Sequence, residues 1–382
     1  MIPYGQHEVT KEDILNVTSV LNSNHLTQGK MVPNFEDAIK KYCNAKYAVA
    51  SNSATSSLHL ACLALGLKKN DIVWTTPITF VASANCALYC GAKIDFVDIS
   101  PLDFNLDVNK LKEKLLIADK KNNIPKILIV VHMAGQSCDM KSIREICDQY
   151  NIKIIEDASH ALGSEYNFKK VGSCEFSDIT VFSFHPVKMI TTGEGGISVT
   201  NCKELSEQMM IIRNHGITYS KTNPHEPWVY YQKDLGFNYR MNDIEASLGL
   251  SQLNRLEDYV TKRNEIAKKY DHKLKHLNLK TPLIGNNVKS SFHLYIIRFN
   301  LEKLNVPKYK IFNYLKDNKI GVQVHYIPIF MQPYYAKFGF KQSDFPETIL
   351  FYKEALSIPI FPSLKEMEQD FIVKKIEEAM SL

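Results

Sequence analysis

The stretch T-V-F-S-F-H-P-V-K-M-I-T-T-G-E-G-G, residues 180–196, decides how the rest of the chain reads. Residues 179–184 form an apolar run of the length of a buried strand. A single lysine, Lys188, follows among Val187, Met189 and Ile190, and the stretch closes on Gly193-Glu194-Gly195-Gly196. An amine held away from water loses its proton more easily, and a neutral amine attacks carbonyl carbon. Lys188 therefore reads either as a Schiff-base nucleophile or as a solvated lysine on a loop between two strands, the commoner fate of a lysine.

Working outward, short apolar runs alternate with helical patterns. Strands are expected over 47–50, 72–75, 93–97, 127–131 and 153–156, with helices over 54–65, 79–89, 108–116 and 140–150. Two further strands, 179–184 and 196–200, bracket the lysine. Strands and helices alternating at this spacing give βαβ units and a mainly parallel sheet. Such sheets bind ligands at the carboxyl ends of their strands. After the first strand comes S-N-S-A-T-S-S, residues 51–57, whose hydroxyls and free N–H groups suit a phosphate or simply cap a helix. After the second comes Pro77-Ile78-Thr79-Phe80, where the aromatic ring can stack on a flat ligand or belong to the core. After the strand 153–156 comes Asp157, and a carboxylate buried there needs a partner. That partner can be an arginine, a helix start or a protonated ring nitrogen. A lysine, a carboxylate, a phosphate cup and a flat wall at successive strand ends are together what pyridoxal phosphate requires.

Outside this core, Thr10 and Asp13 mark a helix start, with Ile14, Val17 and Leu21 on one face. A second helix is expected over 33–43. Beyond residue 201 the pattern gives a helix over 205–213, a long loop over 217–234 and a long helical stretch over 242–275. A small α+β region follows, with strands at 292–299 and 321–326 and helices at 308–318 and 367–380. The expected division is a large domain, 1–245, and a long helix with a small C-terminal α+β domain, 246–382.

The 382 residues are 45% hydrophobic and 23% charged, which supports a substantial core. A net charge of +5 with scattered Lys and Arg argues against a nucleic-acid partner. The eight cysteines form no C-x-x-C pair and no zinc-ligand spacing with histidine, so no metal is expected and a reducing compartment is. Cys86 and Cys90, at i and i+4 of an expected helix, read as packing. The N-terminus lacks a signal-peptide pattern and no apolar run approaches membrane-spanning length, so the expectation is a cytoplasmic protein without a membrane partner.

Several stretches are similar to the DegT/StrS-type sugar aminotransferases, enzymes of PLP-dependent fold-type I. They are S-F-H-P-V-K-M-I-T-T-G-E-G-G (183–196), E-D-A-S-H-A-L-G-S (156–164), L-T-Q-G (26–29), S-N-S-A-T-S-S-L-H (51–59) and T-P-I-T-F-V-A-S-A-N (76–85). H-M-A-G-Q (132–136), R-N-H-G (213–216), G-F-N-Y-R-M-N-D (236–243) and V-H-Y-I-P-I (324–329) join them. P-W-V-Y-Y-Q (227–232), with the lysine stretch, most resembles the aminotransferases of pseudaminic acid biosynthesis. A departure is Met189, where such relatives often carry proline.

The resemblance implies an α/β fold with a mainly parallel central sheet flanked by helices and a smaller α+β C-terminal domain. It implies pyridoxal 5'-phosphate as cofactor, with Lys188 on its aldehyde, Asp157 on its ring nitrogen, His160 beside the ring and Phe80 stacked on it. Ala54, Thr55 and Ser183 would hold the phosphate. Asn238 would reach that phosphate from the other subunit of a homodimer. Tyr4, Thr27, Gln28, Gly29, His325 and Tyr326 match places where relatives meet the nucleotide sugar, although His325 and Tyr326 read equally as residues that hold the fold. The implied substrates are L-glutamate and a UDP-linked 4-keto-6-deoxy-N-acetylhexosamine of β-L-arabino configuration, aminated at C4. Arg213 and Arg240 are candidates for the donor carboxylate. The α-D-xylo keto sugar is the alternative substrate, and a non-catalytic regulatory or binding protein on the same fold is the alternative outside enzymes. Relatives that dehydrate sugars carry histidine in place of the lysine, so Lys188 favours amine transfer.

Overall fold

Seven strands form the central sheet of the computed structural model, which describes residues 1–219, 226 and 228–382. Part of the loop expected over 217–234, including Pro227 of P-W-V-Y-Y-Q, lies outside the described residues. Two helices lead in, α1 (Lys11–Leu21) and α2 (Met31–Cys43), and the alternation then follows. It runs β1 (Tyr47–Ser51), α3 (Ala54–Ala64), β2 (Ile72–Thr75), α4 (Ala82–Tyr89), β3 (Lys93–Phe96), α5 (Val108–Lys120), β4 (Ile127–Val131), α6 (Met140–Gln149) and β5 (Lys153–Asp157). β6 (Ile179–Ser183), β7 (Gly196–Thr200) and α7 (Lys203–Arg213) complete this part. The strand order is β1-β7-β6-β5-β4-β2-β3. All neighbours in the run β6-β5-β4-β2-β3 are parallel. β7 alone runs against both its neighbours, so the lysine segment is the connection of an antiparallel β6–β7 pair.

Sequence explains this layering. β4 reads I-L-I-V-V and every residue is buried, as a central strand covered on both faces requires. Gly196 at the start of β7 passes under the N-terminus of α3. A Cβ there would lie 2.4 Å from the Ala54 nitrogen, so only glycine fits.

The C-terminal region begins with α8 (Asp243–Leu253) and α9 (Leu256–Leu274). A three-stranded antiparallel sheet of β8 (Leu279–Lys280), β9 (Tyr295–Phe299) and β10 (Ala355–Ile358) has β9 in the middle. With α10 (Lys308–Asp317), α11 (Pro346–Glu354) and α12 (Glu366–Met380), it encloses its own apolar cluster, which includes Tyr270, Tyr295, Ile311 and Ile372. The first residues of the chain are sewn into this region. Ile2 donates to Lys319 O at 2.8 Å and accepts from Gly321 N at 2.7 Å. Residues 288–289 pair with 165–166, which pair in turn with 169–170, so one small sheet joins the C-terminal region to the large one.

Four expectations differ from what is observed. The helical pattern over 242–275 is two helices, because the backbone breaks at Asn254 and Arg255. Residues 321–326 make only one bridge, Gln323 to Ser357, and no strand. Part of the expected loop pairs as a hairpin, residues 217–219 with 230–232. In α1 the capping box of Thr10 and Asp13 forms, but the helix is turned the other way from its apolar stripe. Ile14 and Leu21 stay 57% and 55% exposed while Asp13 is fully buried. Asp13 accepts from Arg255 Nη2 at 2.7 and 2.9 Å and from Gln252 Nε2 at 2.8 Å, and these bonds fix the orientation.

Candidate active site

At the carboxyl ends of β1, β2, β4, β5 and β6 the layers leave a cavity of about 430 Å³. Each connection that follows a strand contributes a wall. Ser53, Ala54 and Thr55 come after β1, Thr79 and Phe80 after β2, Asp157, Ser159 and His160 at or after β5, and Ser183 at the end of β6. Lys188 enters from the β6–β7 connection, and Tyr4, His325 and Tyr326 close the cavity from the N-terminal segment and the C-terminal region.

Asp157 is 5% exposed. Its Oδ2 accepts from Ser83 Oγ at 2.6 Å, and its Oδ1 accepts from Ser159 Oγ at 2.6 Å and Ser159 N at 3.1 Å. These are neutral donors, and among the described residues no cation pairs with this carboxylate. It retains affinity for a positively charged N–H. Beneath it, Glu156 meets His132 at 2.7 Å and Thr180 Oγ1 at 2.9 Å, with Ser177 also donating. Burial raises the Glu156 carboxyl, but His132 and these hydroxyls outweigh it and leave it below the usual range.

Burial lowers the Lys188 amine to about 8, against an opposing pull from Asp157. An amine so placed is neutral over part of the physiological range, as an attacking nitrogen must be. Burial also pushes His160 well below the usual imidazole range, with Lys188 and His325 adding to the effect. His160 Nε2 lies 3.2 Å from Tyr326 Oη, its Nδ1 has no partner among the described residues, and its ring sits 4.4 Å from that of His293. His325 is lowered to about 4 by burial and then by Lys188, and its Nδ1 lies 2.8 Å from Ser357 Oγ.

The phosphate end is the start of α3. Ser53 caps it, accepting from Ser56 N at 3.1 Å, and the first intrahelical bond is Ser57 N to Ser53 O at 3.0 Å. The amides of Ala54 and Thr55 precede that bond and are the free donors of a helix start. Phe80 is 58% exposed at the cavity and its ring lies 6.2 Å from that of Tyr326. A buried carboxylate without a cation, a neutral lysine, an unpartnered imidazole nitrogen, a helix start and an open aromatic face fit pyridoxal 5'-phosphate.

Ten of the candidate residues therefore line one cavity: Tyr4, Ala54, Thr55, Phe80, Asp157, His160, Ser183, Lys188, His325 and Tyr326. Thr27, Gln28, Gly29 and Asn238 do not line it. They belong instead to two stretches that meet at the start of α8. Asp243 N donates to Leu26 O at 2.9 Å, and Asp243 Oδ1 accepts from Val32 N at 3.1 Å. Arg213 is tied to Glu36 and Ala50 O, both at 2.6 Å, and Arg240 donates to Asn214 at 2.6 Å. Neither arginine faces the cavity. Sequence reasoning missed Ser83, Ser159, His185 and Glu194. The last two stand inside the lysine stretch, so proximity in sequence was a usable signal for them. Ser83 gave none.

The sequence profile of the DegT/DnrJ/EryC1/StrS aminotransferase family matches residues 7–377. The chain is 41% identical over 373 residues to the UDP-4-amino-4,6-dideoxy-N-acetyl-beta-L-altrosamine transaminase of Campylobacter jejuni, covering 97% of this chain and 96% of that one. Among solved structures, Helicobacter pylori PseC, an aminotransferase involved in the biosynthesis of pseudoaminic acid, superposes with a TM-score of 0.91 at 35% identity, over 100% of this chain and 99% of that one. The putative sugar aminotransferase Spr1654 from Streptococcus pneumoniae, in its PMP-form, gives a TM-score of 0.91 at 27% identity, over 100% and 99%. With the lysine, the carboxylate and the helix start in the places described, the chain belongs to the DegT/DnrJ/EryC1/StrS aminotransferase family.

Proposed function

We propose that this protein is a pyridoxal 5'-phosphate-dependent aminotransferase that moves the amino group of L-glutamate to C4 of a UDP-linked 4-keto-6-deoxy-N-acetylhexosamine of β-L-arabino configuration, a step of pseudaminic acid biosynthesis. The observation that carries the reading is the neutral-leaning Lys188 facing the cation-free carboxylate of Asp157 in one cavity. The transaminase name of the Campylobacter jejuni relative supports the sugar.

When bound, the cofactor supplies an aldehyde that carries the amino group and a ring that accepts electrons from the substrate carbon. The chain's residues do the rest. Asp157, held between Ser83 and Ser159, would keep a proton on the ring nitrogen. Phe80 and His160 would hold the ring, and the start of α3 with Ser183 would hold the phosphate. Lys188 Nζ would take the proton from the donor α-carbon and, in the second half of the reaction, deliver one to C4 of the sugar. His325, Tyr326 and Tyr4 form the wall that would receive the sugar nucleotide. With Arg213 and Arg240 already bonded elsewhere, the donor carboxylate falls to neutral donors of the cavity or to a partner subunit.

The active unit in this reading is a homodimer, with Asn238 and the turn 27–29 serving the cavity of the second subunit. Thr27, Gln28 and Asn238 are exposed and do not line their own cavity, which supports it. For the proposed division into 1–245 and 246–382, the separate apolar cluster supports a second unit from Ile266 onward, whereas Ala246, Leu256, Tyr259 and Val260 pack with Phe35 and Phe182 of the large one.

The test is a product assay. Protein loaded with the cofactor is given L-glutamate and, separately, the β-L-arabino and α-D-xylo UDP-4-keto sugars, and the C4 configuration is assigned by NMR. Formation of the β-L-altro amino sugar is expected. Turnover of the α-D-xylo sugar alone overturns the assignment of the sugar, and turnover of neither overturns the reading. The state of Lys188 sets a pH dependence. Its amine is protonated well below 8 and neutral above, so capture of the cofactor by apo-protein, followed by absorbance, is expected to rise about fiftyfold from pH 6 to 8 and then level off.

A further inference from the structure

His160 is held by one short segment, residues 290–294, that does not itself line the cavity. Ser290 Oγ donates to Gly135 O at 3.1 Å and accepts from Phe292 N at 3.0 Å. Ser291 N donates to Ser164 Oγ and to Gly135 O, both at 3.1 Å, and Leu294 N donates to Ala134 O at 3.3 Å. Arg263 Nη1 donates to Phe292 O at 3.1 Å and to His293 O at 3.3 Å. The main chain on both sides of His293 is therefore pinned. Phe292, just before it, has φ 47°, in the left-handed region. A bulky residue stays there only where its surroundings impose it.

His293 is 4% exposed, and its ring lies 4.4 Å from that of His160 at an interplanar angle of 38°. Its Nδ1 has no partner among the described residues. A buried imidazole nitrogen left unpaired costs free energy, so hydrogen bonding through that atom is not what places a histidine here. Burial pushes this imidazole well below its usual range, with His160, Lys188, Arg263 and His325 adding to the effect, so it packs as a neutral ring. Tyr326 lies nearly parallel to His160, its ring 6.2 Å away at 20°, and its Oη reaches Nε2 at 3.2 Å. Ser291 Oγ meanwhile donates to the His160 carbonyl at 2.8 Å. One segment thus grips His160 twice, by its carbonyl through Ser291 and by its ring through His293.

We propose that His293 is a positioning residue for amine transfer, whose ring backs that of His160 and sets the angle at which His160 faces the cavity. This role rests on the pyridoxal phosphate reading of the cavity, in which His160 would lie against the ring of the cofactor. The tilt of His160 would then be passed to that ring, and so to the bond from which Lys188 takes a proton. A small displacement there is costly to the rate. Removing the His293 side chain leaves a space behind His160 into which its ring can relax. What His293 contributes is shape, so a ring of similar size without nitrogen should serve.

The experiment compares His293→Ala, His293→Phe, His160→Ala and the double alanine variant as full-length, cofactor-loaded protein. Three quantities are read: thermal unfolding, the visible circular dichroism of the bound cofactor, which reports how its ring is held, and the rate at which L-glutamate discharges the visible absorbance. His293→Ala is expected to bind the cofactor in full, to lose most of the visible dichroism and to slow the reaction with glutamate about tenfold. His293→Phe should restore both. In the His160→Ala background, adding His293→Ala should change the rate by less than about twofold, because the route through His160 is already cut. A further loss of about tenfold in that background, or full dichroism in His293→Ala, overturns the proposal. So does a His293→Phe variant that folds and binds the cofactor but is as slow as the alanine, since the nitrogen is then needed. Should the larger ring unsettle the fold, the alanine cycle still decides. If the wild type takes up no cofactor, the cavity reading fails and this role falls with it, a result distinct from all the others.

Discussion

The cavity and the outer face of α1 depart from the usual distribution of polar and apolar groups in opposite directions. In the cavity, Asp157 and His160 are buried with few partners of opposite charge. Along α1 and the turn after it, Ile14, Leu15, Leu21 and Leu26 are exposed, while the charged Asp13 is the residue turned inward. The two regions differ in where the missing partner comes from. Asp13 is satisfied within the chain by Arg255, so its burial is structural. Asp157 is surrounded by hydroxyls that hold it without neutralising it, so its charge stays available to a ligand. Buried polarity alone does not mark a site; buried polarity without a counter-charge does.

The sharpest way to break this contrast is Lys188→Ala. Amino-sugar formation should fall by at least about a thousandfold, since proton transfer by a positioned amine is lost, while thermal unfolding of the apo-protein stays close to wild type. Next in size is a mixing experiment. Lys188→Ala and Asn238→Asp should each be poorly active alone, and reassociation of an equal mixture should restore about a quarter of wild-type activity, because half the dimers are hybrids with one intact site. No recovery despite demonstrated subunit exchange would place Asn238 outside the shared cavity.

On the structural side, Asp13→Ala should lower stability by about 2 kcal/mol in chemical denaturation, through the lost bond from Thr10 N–H to the Asp13 carboxylate and the uncompensated Arg255. Arg255 and other donors hold the Asp13 carboxyl below the usual range despite its burial. Its contribution is therefore present above the unfolded carboxylate pKa of about 3.9 and lost as pH falls through the lower folded value. The smallest effect belongs to Leu15→Ser, within about 0.5 kcal/mol at low protein concentration. A larger loss that grows with protein concentration would instead assign that face to a subunit contact.

Much of the cavity was legible because each wall follows a strand of a parallel sheet, and strand order there obeys general rules. Asp157 and Lys188 offer themselves to local reading, while the phosphate role of Ser183 came only through the resemblance. Ser83 was not legible, since its value lies in reaching Asp157 across the sheet, 74 positions away. Tyr4 was placed by resemblance, and only the structure supplies its cause: Ile2 pairs beside Ile320 and carries Tyr4 to the cavity. The orientation of α1 was misread for the same reason. Its apolar spacing is local, but Arg255, which overrules it, lies 242 residues away.

The weld between the two regions has a mechanical consequence. Besides the strand pairing of 288–289 with 165–166, Ser291 Oγ donates to His160 O at 2.8 Å and Ser291 N to Gly135 O at 3.1 Å. Gly135 has φ +95°, and a Cβ there would lie 2.3 Å from Ser291 Oγ. The part of the chain that carries His325 and Tyr326 is thus bolted to the loop that carries His160, on the inner side of the cavity. The gap between these two walls is therefore set by hydrogen bonds to the main chain, so a change at Gly135 or Ser291 would be felt at the cavity without either residue lining it.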